Sequence, residues 1–239
     1  MDLLFAVSLA AGGVRSTEGE NMKNIGMNEI INTVRKRPAM YIGCNELTPM
    51  KHFLDGCYTY RIAAECPSES IIPLDYCYFR DFMRIKAGGS RDDGLWNAEG
   101  WTGYIINDLC GGDERTALEK FFGFYDEFSA VKITGCKKAV LSEENIKMAK
   151  SRRYYGMHNG TAGEHPFFDS PVNVYVVKLS IPAYMVLVEQ KDDIMLPHGL
   201  SYSAETLIIK HFGKIGAWEE LDGDHFGFED KPVSVNCFF

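Results

Sequence analysis

The sequence predicts an α+β protein in which a helical N-terminal half is packed with a C-terminal half that contains a small antiparallel sheet. Apolar residues recur at helical spacing from about Met27 to Phe128. Near residue 130 the period changes to β-branched and aromatic runs bounded by Gly, Pro and Ser, which is typical of strands. No long linker separates the two halves.

The composition indicates a globular chain without an extended surface for nucleic acid. With 239 residues, of which 46% are hydrophobic, the chain is long enough to bury a sizeable core. Its formal net charge of -8 argues against nucleic-acid binding, because displacing the counterions of a phosphate backbone needs a basic face. No apolar stretch approaches the roughly 20 residues that cross a bilayer, so no membrane association is predicted.

Three segments are predicted: a disordered leader over residues 1–26, a helical module over 27–130 and an α+β module over 131–239. Whether the two modules form one continuous domain is left open. The apolar run LLFAVSLAAGG has the character of a signal peptide, but Asp2 stands where such a peptide carries positive charge. A poorly ordered leader and a start-site artefact upstream of Met22 or Met27 are the alternatives.

The seven cysteines are scattered, odd in number and never spaced as C-x-x-C. This pattern predicts neither a disulfide framework nor a zinc site. A reducing cytoplasm is the predicted location, and no cofactor is predicted.

Three helices are predicted before residue 90. NEIINTVRKR, residues 28–37, has Asn28 as its N-cap, Glu29 in its first turn and cations in its last, and Pro38 ends it. Thr48-Pro49 then supplies a cap and a proline at the first helical position. The third helix lies in DYCYFRDFMRIK.

Two further helices complete the first half. GWTGYIINDLCGG predicts a short helix closed by Gly111-Gly112, and Asp113 caps the helix that follows. A wide apolar stripe on that last helix predicts core packing; it comprises Ala117, Leu118, Phe121, Phe122, Tyr125 and Phe128.

Four strands are predicted in the second half, in AVKIT, KKAVL, VNVYVVKL and AYMVLVEQ. The last two, residues 172–179 and 183–190, are separated by only SIP, so an antiparallel hairpin is predicted. Helices are predicted over about 142–153 and 203–212.

The stretch RKRPAMYIG, from Arg35 to Gly43, resembles the RKRPGMYIG segment of the type II topoisomerase ATPase subunits, the gyrase B family. That resemblance implies an ATPase whose next helix carries a Glu to activate water and an Asn to hold Mg²⁺. Here the next helix has Asp55 and no Asn. The nearest match to the family's D-x-G-x-G places Trp96 where the last glycine belongs.

A structural role is therefore predicted for the segment formed by Arg37, Pro38, Met40, Tyr41, Ile42 and Gly43. Pro38 stops the preceding helix, and Met40 and Ile42 insert into the helical core. Gly43 frees the chain to turn toward Thr48.

A broader resemblance covers roughly residues 34–128. The succession RPAMYIG, FLDGCYTY, GWTGYII and ALEKFFGFYDEF is similar to small uncharacterised bacterial proteins with the motifs RPxMYxG, FLxGY, GW and FFxLLDEF. The resemblance implies a compact helical module and brings no catalytic residues. It also suggests an immunity or antitoxin factor encoded beside a secreted toxin.

The most site-like stretch is RRYYGMHNGTAGEHPFFD, residues 152–169, which is expected to be a loop. The candidate binding residues in it are Arg153, Tyr154, Tyr155, His158, Glu164 and His165. The two histidines lie seven residues apart without an H-E-x-x-H pattern. A plain surface loop, a partner-binding loop and a catalytic or metal site are the alternatives, and no metal or catalytic residue is predicted.

Two functions follow from these observations. The first is a non-enzymatic protein-interaction factor, of which immunity or antitoxin action is one form, whose acidic surface engages an unidentified protein partner. It is favoured by the missing catalytic motifs. The alternative is a small-molecule-binding protein or an enzyme with its site around residues 152–169. The sequence does not specify the oligomeric state.

Replacing Tyr41 or Ile42 by Ala should lower the melting temperature, because a structural segment loses packing when its side chains are shortened. Thermal denaturation of the two variants checks this. Unchanged melting curves for both would leave the segment available for binding.

Overall fold

A computed structural model describes residues 26–63, 74–88, 100–158, 161–166, 168–191, 194–196, 200–223, 226–228 and 233–235. The predicted leader, apart from Gly26, and the D-x-G-x-G match at residues 92–96 lie outside the described residues. The α+β class is confirmed, because helices form the first part of the described chain and a mainly antiparallel sheet lies in the second. Two compact units share the chain; the first ends at Ala130 and the second begins at Val131.

The described elements of the first unit are helical. They are α1 (Met27–Lys36), α2 (Pro38–Ile42), α3 (Leu47–Ala63), a 3-10 turn (Tyr76–Tyr78), α4 (Phe79–Lys86), α5 (Gly100–Gly103), a π-helical segment (Tyr104–Leu109) and α6 (Glu114–Ser129). The π winding after α5 was not predicted. Among the described helices of both units, none is long and apolar enough to cross a membrane.

The N-terminus of α1 differs from the prediction. Gly26, not Asn28, occupies the N-cap position, and no side chain caps the helix there. The Asn28 side chain instead accepts a hydrogen bond from the hydroxyl of Tyr125 on α6. The predicted Asn28 cap was wrong because Tyr125, which is distant in the sequence, donates to the side-chain oxygen that a local cap would use.

Aromatic rings around Phe79 form the core of the first unit. The centroid of Phe79 lies 5.1 Å from that of Trp101, 5.4 Å from Phe121 and 5.5 Å from Phe128, each time with the rings near perpendicular. Tyr125 lies 5.7 Å away in a tilted arrangement. Edge-to-face contacts add roughly 0.5–1.5 kcal/mol per pair to the gain from area burial. The predicted stripe on α6 is thus packed against α4 and α5.

The described part of the second unit combines two helices with a six-stranded sheet and a two-stranded hairpin. Its elements are β1 (Ile133–Val140), α7 (Glu143–Ser151), β2 (Arg153–His158), β3 (Thr161–Pro166), β4 (Pro171–Leu179), β5 (Tyr184–Gln190), β6 (Ile194–Leu196), α8 (Ala204–Phe212), β7 (Glu219–Leu221) and β8 (Val233–Val235). The sheet order is β7-β1-β4-β5-β6-β8. Neighbouring strands are antiparallel except β6 and β8, which are parallel.

The predicted hairpin between residues 172–179 and 183–190 is present as β4 and β5. Its register pairs Val174 with Val188 and Val176 with Val186. The two runs AVKIT and KKAVL were predicted as separate strands, but the end of the first, residues 133–134, and most of the second belong to the single strand β1, and residues 130–132 precede it.

Helices α7 and α8 cover one face of this sheet. Their buried residues pack with the valines of β4 and β5 in one cluster, which includes Ala149, Leu207, Ile208 and Phe212. Ser142 and Asn145 form a capping box at the start of α7. The Asn145 amide also donates to the carbonyl of Phe212 at 2.7 Å, which ties the start of α7 to the end of α8.

His211 is a buried histidine at the end of α8. It is 2% exposed, and the edge of its ring meets Phe168 with 5.7 Å between centroids. Burial, and then the positive charges of Lys210 and Arg152, lower its pKa from 6.5 to about 4. The neutral imidazole is therefore the form that the folded second unit contains at neutral pH.

Acidification should destabilise the second unit through His211. The unfolded chain takes up a proton below pH 6.5, whereas the folded chain does so only near pH 4, so stability is lost as the pH falls between these values. The slope approaches about 1.4 kcal/mol per pH unit for the one proton involved. Urea denaturation followed by Trp218 fluorescence, with Trp96 and Trp101 replaced by Phe, measures it.

His211→Gln should flatten this pH dependence. His52→Gln is the matched control, because His52 is an exposed side chain on α3 and its removal should leave the slope of the second unit unchanged. Parallel curves for the wild type and His211→Gln would contradict the assignment.

Candidate functional site

Helix α2 forms an exposed apolar turn, the five residues PAMYI from Pro38 to Ile42. None of its residues is buried, and Met40 is 56% exposed. Tyr41 and Ile42 are half-buried. The predicted insertion of Met40 into the helical core was wrong. The helix restarts at Pro38 after the non-helical Arg37 (φ -152°, ψ 69°), so the buried face of α1 does not continue into the turn.

Both ends of the apolar turn are defined by its sequence. Pro38 occupies the first helical position, where its missing N–H is not needed, and α1 has ended before it as predicted. Gly43 adopts a left-handed conformation with φ +81° and donates its N–H to the carbonyl of Ala39 at 3.1 Å. Only glycine takes this conformation without strain, as its predicted turning role requires.

Arg35 anchors the end of α1 to α6, directly before the apolar turn. Its guanidinium donates to the carbonyl of Phe122 at 2.8 Å and pairs with Asp126 at 2.8 Å. The same group lies over the Phe122 ring, 4.8 Å from the centroid. These three contacts need the planar fork of arginine, so lysine would not reproduce them.

Glu114 anchors the start of α3, shortly after the apolar turn. Its carboxylate accepts the backbone N–H groups of Leu47 at 3.0 Å and Thr48 at 2.9 Å, and the Thr48 hydroxyl at 2.6 Å. Thr48 was predicted to be the cap itself. A carboxylate from α6 performs that task instead, which also satisfies the positive end of the α3 dipole.

The neighbouring Asp113 caps α6, as predicted. It accepts the N–H groups of Arg115 and Thr116 and the Thr116 hydroxyl. These bonds, first of all the one from the Thr116 hydroxyl, lower the pKa of Asp113. Asp113 thus caps the N-terminus of α6 and Glu114 caps the N-terminus of α3. Because the two caps are adjacent in sequence, they fix α3 relative to α6.

Charged residues of both signs flank the apolar turn in the sequence, because Lys36 and Arg37 precede it and the exposed Glu46 follows it. Lys36 ends α1 and Arg37 links it to α2, and both side chains are exposed. The charge of Arg35 is paired with Asp126, whose side chain is 62% exposed, so this ion pair lies at the surface. The site therefore combines one exposed apolar side chain, Met40, with two exposed cations within four residues.

The expected loop over residues 152–169 is instead a two-stranded antiparallel hairpin, β2 and β3. The register pairs Tyr154 with His165 and Tyr155 with Glu164. The signal for a hairpin is Asn159-Gly160 in the sequence, the dipeptide most typical of a two-residue turn.

All six candidate binding residues lie on the two strands of this hairpin. Arg153, Tyr154, Tyr155 and His158 are on β2, and Glu164 and His165 are on β3. Binding by these residues stays a prediction, and so does the alternative function that depends on it.

A polar cluster on β4 and β5 was missed in the sequence. The Glu189 carboxylate accepts hydrogen bonds from the Asn173 amide at 2.6 Å and from the buried Tyr175 hydroxyl at 2.7 Å. Lys138 lies over the Tyr175 ring, 5.4 Å from its centroid. Asn173 and Glu189 are cross-strand partners, so a polar residue in each of two paired apolar runs was the available signal. The cluster pairs its polar groups with one another, which fits a role in fixing the hairpin register.

Cys57 on α3 and the groups that could bind a metal ion were considered as further sites. Burial raises the pKa of Cys57 to about 11, so its thiol is protonated at neutral pH and a poor nucleophile. Over the described ranges, no three His, Cys, Asp or Glu side chains come together in a way that could hold a metal ion.

Comparisons of the chain with protein-family models, with curated proteins and with solved structures found no match. The gyrase B resemblance and the RPxMYxG resemblance therefore stay predictions from the sequence. The exposed apolar turn is the candidate site with the most defined geometry.

Glu114→Ala should lower the free energy of unfolding of the first unit by about 1–2 kcal/mol, since it leaves the N-terminus of α3 without its carboxylate cap. Urea denaturation followed by far-ultraviolet circular dichroism measures the change. Glu119→Ala is the control, because Glu119 is an exposed glutamate on the same helix. Equal effects of the two substitutions would show that the cap does not stabilise the unit.

Proposed function

We propose that the protein is a non-enzymatic interaction factor that binds a protein partner in the bacterial cytoplasm. In this proposal it acts as immunity or antitoxin factors do, by occupying a surface of its partner rather than by catalysing a reaction. The apolar turn is the element that makes the contact.

The exposure of the apolar turn is the observation that supports the proposal. The helix consists of five consecutive residues without charge, of which Ala39 and Met40 are exposed and the other three are partly buried. Met40, together with the partly exposed Tyr41 and Ile42, is the apolar surface on which the proposed contact is based. Met40 at the centre of the turn is unbranched and polarisable, so it adapts to the shape of a partner's pocket.

The anchoring of the turn adds to this support. Arg35 holds the chain before it and Glu114 holds the helix after it, both against α6. Capping by Gly43 closes the turn itself. A surface that is ordered before binding loses less conformational entropy in the complex, so a small contact area suffices for measurable affinity.

The charge of the chain favours a protein partner over nucleic acid. A net charge of -8 opposes the approach of a polyanion, whose affinity for proteins depends on phosphate neutralisation. A protein partner imposes no such requirement, because interface cores are apolar and depleted in charge.

Met40→Lys should abolish the capture of a stoichiometric protein partner by the tagged full chain from its native lysate, because a lysine cannot enter an apolar pocket without losing its hydration. Mass spectrometry at two salt concentrations identifies and quantifies the captured protein. The melting temperature should not change, since Met40 is mostly in water.

Ile209→Lys is the matched control for this experiment. Ile209 lies in the second unit on α8 and is 52% exposed, close to the value for Met40. The control should capture the partner as the wild type does. Equal capture by wild type, control and Met40→Lys would remove the apolar turn from the interaction, and an empty capture by all three would count against the proposed function.

A further inference from the structure

We draw no further inference here: the strongest candidate, the side-chain cluster of Asp55 and Cys57 on α3 with the buried Tyr76 of the 3-10 turn, rests only on the raised pKa of Tyr76, which burial and these neighbouring groups cause, and no hydrogen bond in the described part of the chain joins its hydroxyl to either of them.

Discussion

The packing of Phe79 against α5 and α6 is the constraint on which the first unit depends. Four aromatic rings surround Phe79 at centroid distances of 5.1 to 5.7 Å, and three of them belong to α6. Because these rings fix the rotation of α6 about its axis, they also fix the direction of its polar groups. One side of α6 packs in the aromatic core, and polar side chains on its other positions bind α1 and α3.

Two of those polar positions, together with the hydroxyl of the core residue Tyr125, determine where α1 and α3 lie. Tyr125 donates to Asn28 at the start of α1, Asp126 pairs with Arg35 at its end, and Glu114 caps α3. The chain between α1 and α3 must therefore cross a set distance in few residues. It does so as the apolar turn, which is short because Pro38 begins it and Gly43 ends it. Met40 is thus exposed because of the contacts that hold α1 and α3 on α6, and not because of contacts of its own side chain.

Sequence periodicity predicted the helices, the central hairpin and the aromatic stripe, because each depends on residues that are close in sequence. The failures have a common cause. Asn28 has the right chemistry for a cap but binds Tyr125. The cap of α3 is provided by Glu114 and not by Thr48. In each case the partner lies more than 60 residues away in the sequence. The exposed position of Met40 could not be predicted from the sequence either, since it depends on the non-helical conformation of Arg37, which breaks the helical phase between α1 and α2. The hairpin β2–β3 is different, because Asn159-Gly160 was a usable local signal that was not used.

The backbone of the turn does not require an apolar residue at position 40, in contrast to the half-buried positions of Tyr41 and Ile42. A helix of five residues has no stability of its own, so α2 exists because its termini and flanking helices impose it. Pro38 and Gly43 provide those termini, while a solvent-facing residue between them contributes almost no packing. Any good helix former, such as Lys or Gln, would serve the backbone at position 40 as well as Met does. The proposed partner contact would remove this side chain from water, and it would give Met40 a role that the backbone of the turn does not require.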